Sequence, residues 1–146
     1  MKKIIIIILF LTINSFSNAE EFLIDGTGKA EMVGITFNDK SKYRVYKSNG
    51  HWKASSGDYG LSECFGTVRN YYDDKVDFEV YCKLLAQDKE HFVMKFITKR
   101  DTQESGIGQA IIVDTSKKYK FLLNAKCNHA ITYIDLDYFS IQKCNY

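Results

Sequence analysis

Two cysteines placed symmetrically about an acidic turn constrain the fold of this chain more than any other feature. Cys64 and Cys82 each lie nine residues from Asp73, and the residues between them are rich in β-branched and aromatic side chains. A hairpin folded about Asp73 would bring the two cysteines opposite each other. Directly opposed residues of an antiparallel pair have Cα atoms about 4.5–5.5 Å apart, which a disulfide can span. We therefore predict a hairpin stapled by a Cys64–Cys82 bridge.

The first nineteen residues have the pattern of a secretory signal peptide. Two lysines precede an apolar run that ends near Ile13, and small residues lead up to Ala19. The run is too short to span a bilayer, which takes about 20 apolar residues. We predict cleavage after Ala19, one domain over residues 20–146, and a periplasmic or secreted location without stable membrane insertion. Cleavage also removes the formal charge of +2, so nucleic acid is not an expected partner.

The chain has four cysteines, and an even number in an exported protein favours two disulfides. Cys127 and Cys144 are centred on a predicted tight turn at Asp135-Leu136, which suggests a second stapled hairpin. The polarity pattern argues against direct pairing, because Cys127 shares an apolar face whereas Cys144 shares its face with polar residues. The alternative, Cys82–Cys127 with Cys64–Cys144, therefore stays open.

Short β-prone segments separated by turn signals make up most of the remaining chain. Two segments containing glycine, Asp25–Gly28 and Ser48–Gly50, are predicted as turns, the second because Asn-Gly accepts the positive φ of a type I′ turn. One helical turn is predicted at Asp114–Tyr119. Strands are predicted near residues 30–37, 43–46, 51–55, 61–71, 75–85, 92–97, 107–113, 120–133 and 137–144.

About eight antiparallel strands without a long helix predict an all-β fold. The candidates are a closed β-barrel and, as the alternative, a β-sandwich. We favour the barrel, pinned by disulfides, because closure leaves no exposed sheet edge.

No group of residues typical of catalysis, a cofactor site or a metal site stands out. His51, His91 and His129 lie on different predicted hairpins, without the short spacing of zinc ligands. No serine has a G-x-S-x-G context, and oxidised cysteines offer no nucleophile. Acidic turns such as Asp73-Asp74 and Asp88-x-Glu90 are more typical of solvated turns than of calcium sites. We assign no catalytic, cofactor-binding or metal-ligating residue and do not expect an enzyme.

Aromatic residues with polar tips are concentrated in the middle third of the chain. Trp52, Tyr71 and Tyr81 are the candidates for a pocket that holds a small hydrophobic ligand at the mouth of the barrel. The alternative is that these rings only pack within the sheet. An eight-stranded barrel can be filled by its own side chains or hold one small ligand, and the sequence leaves both open.

Several short motifs together resemble those of small exported bacterial proteins related to the allene oxide cyclase-type β-barrel. In order they are Cys64-x-Gly66, Cys82, Asp88 with neighbouring charges, Gly106-x-Gly108 and Lys118-Tyr119-Lys120. The resemblance covers roughly residues 61–124 and implies an eight-stranded antiparallel barrel. Lys89–His91 replaces most of an acidic segment, and Asp114–Lys118 stands where a glycine-rich segment is expected. The cyclase activity is not carried over, because its acidic and cysteine context cannot be located in this sequence.

Three functions are consistent with these observations. The first is an exported, non-enzymatic barrel that binds a small hydrophobic ligand. The second is a protein-binding module or inhibitor of the cell envelope, acting through exposed loops such as Ser55–Gly60 or Lys99–Gly106. The third is an enzyme of the cyclase or isomerase type.

Overall fold

The structure, a computed structural model, describes residues 20–73, 75–100 and 106–146. The predicted signal peptide lies outside the described residues, as do Asp74 of the first predicted hairpin turn and most of the predicted loop Lys99–Gly106. Among the described residues no helix has the length and apolar composition needed to cross a membrane.

Eight antiparallel strands form a closed barrel in which each strand pairs with the next in sequence and the last pairs with the first. This confirms the all-β, eight-stranded barrel and makes the β-sandwich alternative wrong. The strands are β1 (Glu21–Thr36), β2 (Lys42–Ala54), β3 (Tyr59–Asn70), β4 (Val76–Ala86), β5 (His91–Arg100), β6 (Gly106–Thr115), β7 (Lys126–Ile134) and β8 (Asp137–Asn145).

Both hairpin disulfides are present. Cys64 lies directly opposite Cys82 between β3 and β4, and Cys127 lies directly opposite Cys144 between β7 and β8. The Cys64–Cys82 prediction is confirmed, and the alternative pairing is wrong. The polarity argument against the second bridge fails because Cys144 faces the interior together with polar side chains of β8. Side chains of β8 still alternate between the inside and the outside of the barrel, but those that point inward are partly polar.

The predicted turns at Asp25–Gly28 and Ser48–Gly50 are wrong, because both segments continue within β1 and β2. Gly28 and Gly50 pair with each other, and the ring of Tyr138 lies against both. A Cβ atom on either glycine would collide with the opposing backbone, and it would also collide with the Tyr138 ring at Gly28 or with the Tyr138 hydroxyl at Gly50. The glycines therefore allow a close approach in mid-strand, which explains a turn-like sequence where no turn occurs.

The connection between β6 and β7 also differs from the sequence-based expectation. The predicted helical turn at Asp114–Tyr119 is a 3₁₀ helix displaced to Lys117–Leu122, and the long strand predicted over 120–133 begins only at Lys126. The helix buries two of its residues against the end of the barrel. Tyr119 and Leu122 are thus buried because the helix packs over the end of the barrel, and not because they alternate along a strand.

Five large side chains close this end of the barrel, which we call the closed end. They are Phe22, Trp52, Phe92, Tyr119 and Leu122, and none is more than 3% exposed. The ring of Phe92 meets Tyr119 edge to face at 5.0 Å and Trp52 at 5.4 Å between centroids. Such pairs contribute about 0.5–1.5 kcal/mol beyond the burial of their area.

A charged cluster fastens the 3₁₀ helix over the closed end. Lys118 Nζ donates to Asp58 Oδ1 at 2.7 Å and to Asp88 Oδ2 at 2.6 Å, which links the helix to two turns. Burial opposes ionisation of Asp58, but hydrogen bonds from Lys118, Gln87 and Ser56 outweigh it and lower the pKa of this carboxyl group. The hydrogen bond from Lys118 likewise lowers the pKa of Asp88. The two carboxylates in turn raise the pKa of Lys118.

Candidate ligand-binding site

A cavity of about 190 Å³ lies inside the barrel between the closed end and the opposite end. At that opposite end the cavity is bordered by partly exposed side chains. They are Met32, Arg44, Phe78, Ile131 and Tyr133. We call this end the mouth; β1 turns into β2 there, and β7 turns into β8. A closed cavity of about 150 Å³ accepts benzene, so this one has room for a small organic molecule.

One wall of the cavity is apolar. It consists of inward-facing residues of β4 and β5, among them Val80, Leu84, Met94 and Phe96, all of which are buried. These side chains alternate along their strands with outward-facing ones, as the period of two predicts. An apolar molecule that displaces water from this wall would gain the free energy of removing apolar surface from water.

The facing wall, built from β8, β1, β2 and β3, carries buried polar side chains. Ser62 Oγ lies 3.3 Å from Tyr138 Oη, and Ser140 Oγ donates to the carbonyl of Gly26 at 3.4 Å. Burial raises the pKa of Tyr46, so its hydroxyl stays protonated around neutrality. Apart from Arg44 near the mouth, this wall therefore offers neutral hydroxyl and amide groups to a ligand.

Arg44 and Asn70 form a polar pair beside the mouth. The guanidinium group of Arg44, which is partly buried, donates from Nη2 to Oδ1 of Asn70, whose side chain is 2% exposed. A guanidinium group has only donors, so the amide must turn its oxygen toward it and its Nδ2 group away. Within the described part of the chain, neither Arg44 Nε nor Asn70 Nδ2 has a hydrogen-bond partner. The pair thus lines the cavity and retains buried donors that lack a partner.

The cavity wall carries no negative charge among the described residues. Neither an aspartate nor a glutamate is among the residues that line it. In the same part of the chain, no ion pair involves Arg44. The positive charge of this guanidinium group is therefore not neutralised by the residues around it.

Of the three residues predicted for the pocket, Trp52 lines the cavity, near the closed end. Its indole Nε1 donates to the carbonyl oxygens of Leu61 at 3.1 Å and Leu85 at 3.3 Å, which fixes the ring across β3 and β4. A tryptophan held in this way supplies an apolar surface without an unsatisfied donor.

Tyr71 and Tyr81 lie outside the cavity, which corrects their predicted positions. Tyr81 alternates with the inward-facing residues of β4, so its ring lies on the outer surface, with Lys95 Nζ 5.2 Å from its centroid. Tyr71 follows the last residue of β3, where its hydroxyl donates to Asp77 at 2.8 Å and its ring stacks on Arg69. Both rings therefore pack on the outer surface of the sheet.

Arg44 and Asn70 are site residues that sequence reasoning missed. The signal was the alternation along β2, in which Arg44, Tyr46 and Ser48 share the inward face with Trp52. The erroneous turn predicted at residues 48–50 broke this strand in two and concealed the common face.

The three histidines lie apart from one another. His51 is exposed, His91 Nε2 lies 3.9 Å from Asp114 Oδ2, and His129 is buried with its ring 5.0 Å from that of Phe96. Among the described residues no three potential ligands of the types His, Cys, Asp and Glu gather into a metal site.

No protein-family model matches the chain, and no curated protein matches its sequence. The solved structures that match in fold include the following two. An enzyme from Penicillium herquei superposes with a TM-score of 0.68 at 9% identity, over 86% of this chain and 94% of that one. A protein of unknown function from Clostridium acetobutylicum ATCC 824 superposes with a TM-score of 0.69 at 12% identity, over 88% and 97% of the two chains. At these identities the likeness shows the barrel fold alone.

Proposed function

We propose that this protein is an exported barrel that binds a small, largely apolar ligand in its interior. The observation that carries the proposal is the cavity of about 190 Å³, which is sealed at the closed end and open to solvent at the mouth. Protein interiors are normally packed as densely as organic crystals. An unfilled space beside an apolar wall is therefore best explained as room for a ligand.

Export is supported by two independent features. Disulfides persist in oxidising compartments and are rare in the cytosol, and this barrel has two of them. The first nineteen residues have the composition of a secretory signal. Cleavage after Ala19 and a periplasmic or secreted location are part of this proposal.

The ligand carrier is favoured over a protein-binding module because the loop Ser55–Gly60 is engaged within the molecule. Asp58 accepts a hydrogen bond from Lys118, and the backbone N–H of Ser55 donates to the carbonyl of Leu23. Kinship with the allene oxide cyclase-type barrel stays a prediction that agrees with the fold, and no cyclase or isomerase activity is assigned.

Titration of the purified protein with octanol and octanoate tests the proposal. The chain has one tryptophan, and it lines the cavity, so its fluorescence reports directly on occupancy. We expect a saturable change at a stoichiometry of one for at least one of the two probes. Native mass spectrometry after gentle purification should also show a co-purifying small molecule.

A variant that fills the cavity tests the proposal, and the same substitution on the outer face of the barrel is its matched control. Val80 lines the cavity and is 1% exposed, whereas Val45 lies on the outer face of β2. Val80→Phe should weaken probe binding by about tenfold or more, and Val45→Phe should leave it unchanged. If neither probe binds the wild-type protein and its native mass is that of the bare chain, the proposal fails.

A further inference from the structure

Arg44 and Asn70 present donors that nothing in the described chain uses. We propose that the ligand carries a carboxylate group and that these two side chains hold it just inside the mouth. This inference rests on the proposed function, since the pair lies on the wall of the same cavity. It adds the chemical class of the ligand and the orientation in which it enters.

The unpartnered groups of Arg44 and Asn70 require a ligand group that accepts hydrogen bonds. With one N–H of Arg44 given to Asn70 Oδ1, the donors left without a partner are the buried Nε–H of Arg44 and the buried Nδ2 amide of Asn70, two residues that line the cavity. Both can only donate. A carboxylate has two oxygens that only accept, and a guanidinium fork binds such a group with good geometry. A hydroxyl group would match these donors less well, and an ammonium group not at all.

The charge balance also selects an anion. Taking a guanidinium group partly out of water is costly unless a negative group accompanies it. The described wall supplies none, and a single carboxylate would neutralise the single charge of Arg44. A phosphate dianion would leave an excess negative charge in the cavity, so the observations favour a carboxylate.

The surroundings of the pair indicate an apolar body behind this group. Val68 and Val76 are buried beside Arg44 and Asn70, and Phe78 borders the same part of the cavity. Low water access strengthens a charge-assisted hydrogen bond. Beyond the pair, the cavity continues along the apolar wall toward Trp52. The ligand is therefore a small amphiphilic acid with its carboxylate at the mouth and its apolar part inward.

Three probes with the same chain and different head groups test this class. Octanoate, octanol and octylamine are titrated into the intact protein at neutral pH, by calorimetry and by the emission of Trp52. We expect octanoate to bind about tenfold or more tightly than octanol, and octylamine to bind most weakly. Equal affinities for octanoate and octanol would overturn the inference while leaving the proposed function standing. Binding by none of the three, together with a native mass equal to that of the bare chain, would end both.

Two variants locate the carboxylate. Arg44→Met should remove the preference for octanoate and change octanol binding by no more than about twofold. Asn70→Asp places a carboxylate beside the guanidinium group and should likewise abolish the preference. The control is Arg69→Met, which removes the same charge from the outer face of β3, where Arg69 stacks on Tyr71. That variant should keep the full preference for octanoate.

The variant data remain decisive even if one protein fails to fold. Circular dichroism and thermal unfolding identify such a case, and the nearly isosteric Asn70→Asp variant then stands in for Arg44→Met. A preference for octanoate that survives in a folded Arg44→Met or Asn70→Asp protein would overturn the placement of the carboxylate at this pair.

Discussion

The two ends of the barrel are built from the same strands but differ in how far their side chains are buried and in whether their charged groups are paired. At the closed end, aromatic rings are fully buried against one another, and charged groups outside them are paired. At the mouth, side chains are partly exposed, and the donors of Arg44 and Asn70 lack acceptors. The closed end is therefore tightly packed with paired charges, whereas the mouth holds a positive charge that no acidic residue of the described cavity wall neutralises.

A single strand shows the contrast. The inward face of β2 begins with Arg44 at the mouth, continues through the hydroxyl groups of Tyr46 and Ser48, and ends with Trp52 at the closed end. Polarity thus decreases along the axis of the cavity. A ligand with a polar head and an apolar body would match this gradient in one orientation only.

The largest expected effect comes from truncating one aromatic ring at each end. Phe92 is fully buried against Trp52 and Tyr119, so Phe92→Ala should lower the free energy of unfolding by about 3–5 kcal/mol. Phe78 is partly exposed at the mouth, and Phe78→Ala should cost less than about 2 kcal/mol. Urea denaturation measures both, and equal losses would remove the distinction between the ends.

Removing a disulfide should have the next largest effect. The two bridges close loops with sequence separations of 18 and 17 residues, so each double Cys→Ala variant should lose about 3 kcal/mol. The bridges differ in position, since Cys64 and Cys82 line the cavity, whereas Cys144 pairs with Phe22 of the closed end. Only loss of Cys64–Cys82 should change octanol affinity beyond its effect on stability. An equal change in both variants would contradict this assignment.

The double variant Arg44→Met with Asn70→Leu should change the free energy of unfolding only slightly, and in the direction opposite to the losses predicted above. It removes both members of a buried polar pair, and apolar replacement of both partners is nearly neutral or stabilising. We expect the free energy of unfolding of the ligand-free protein to stay the same or rise by up to about 1 kcal/mol. Octanoate should lose its advantage over octanol in the same protein. A loss of several kcal/mol in chemical denaturation would mean that the pair serves stability.

The smallest effect should come from the charged cluster over the closed end. The pKa values of Asp58 and Asp88 are lowered in the folded protein, so their stabilising contribution is present above their ordinary value of 3.8 and disappears as the pH falls through the lowered values. Lys118→Met should therefore destabilise the protein at neutral pH but not in strong acid. Urea midpoints of both proteins along a pH series measure this convergence. A constant difference down to the lowest pH would show that packing, not charge, is lost.

The sequence predicted those features of the fold that depend on nearby residues. Alternation in β4 and the symmetric spacing of Cys64 and Cys82 are local properties, and both predictions are confirmed. Features set by distant residues were missed. Gly50 leaves room for the backbone of β1 and the hydroxyl of Tyr138 on β8, and no local pattern distinguishes such a glycine from one in a turn.

The candidate site was predicted only in part for the same reason. Trp52 was identified as an aromatic residue of the cavity, but the pairing of Arg44 with Asn70 depends on the register between β2 and β3. Tyr81 shows the opposite error. The alternation along β4 already places the ring of Tyr81 on the outer surface. The prediction relied on the aromatic character of this residue and not on its position in the strand.

The seam between β1 and β8 differs from the other seven, which join strands consecutive in sequence. At this seam Glu21 pairs with Asn145, so the two partners come from opposite ends of the described chain. Joining such distant segments carries the largest loop-closure entropy in the molecule and should limit the folding rate. A sheet that lacks this seam is an open ribbon without an interior. Under the proposed function, a ligand can therefore bind only after β8 has paired with β1.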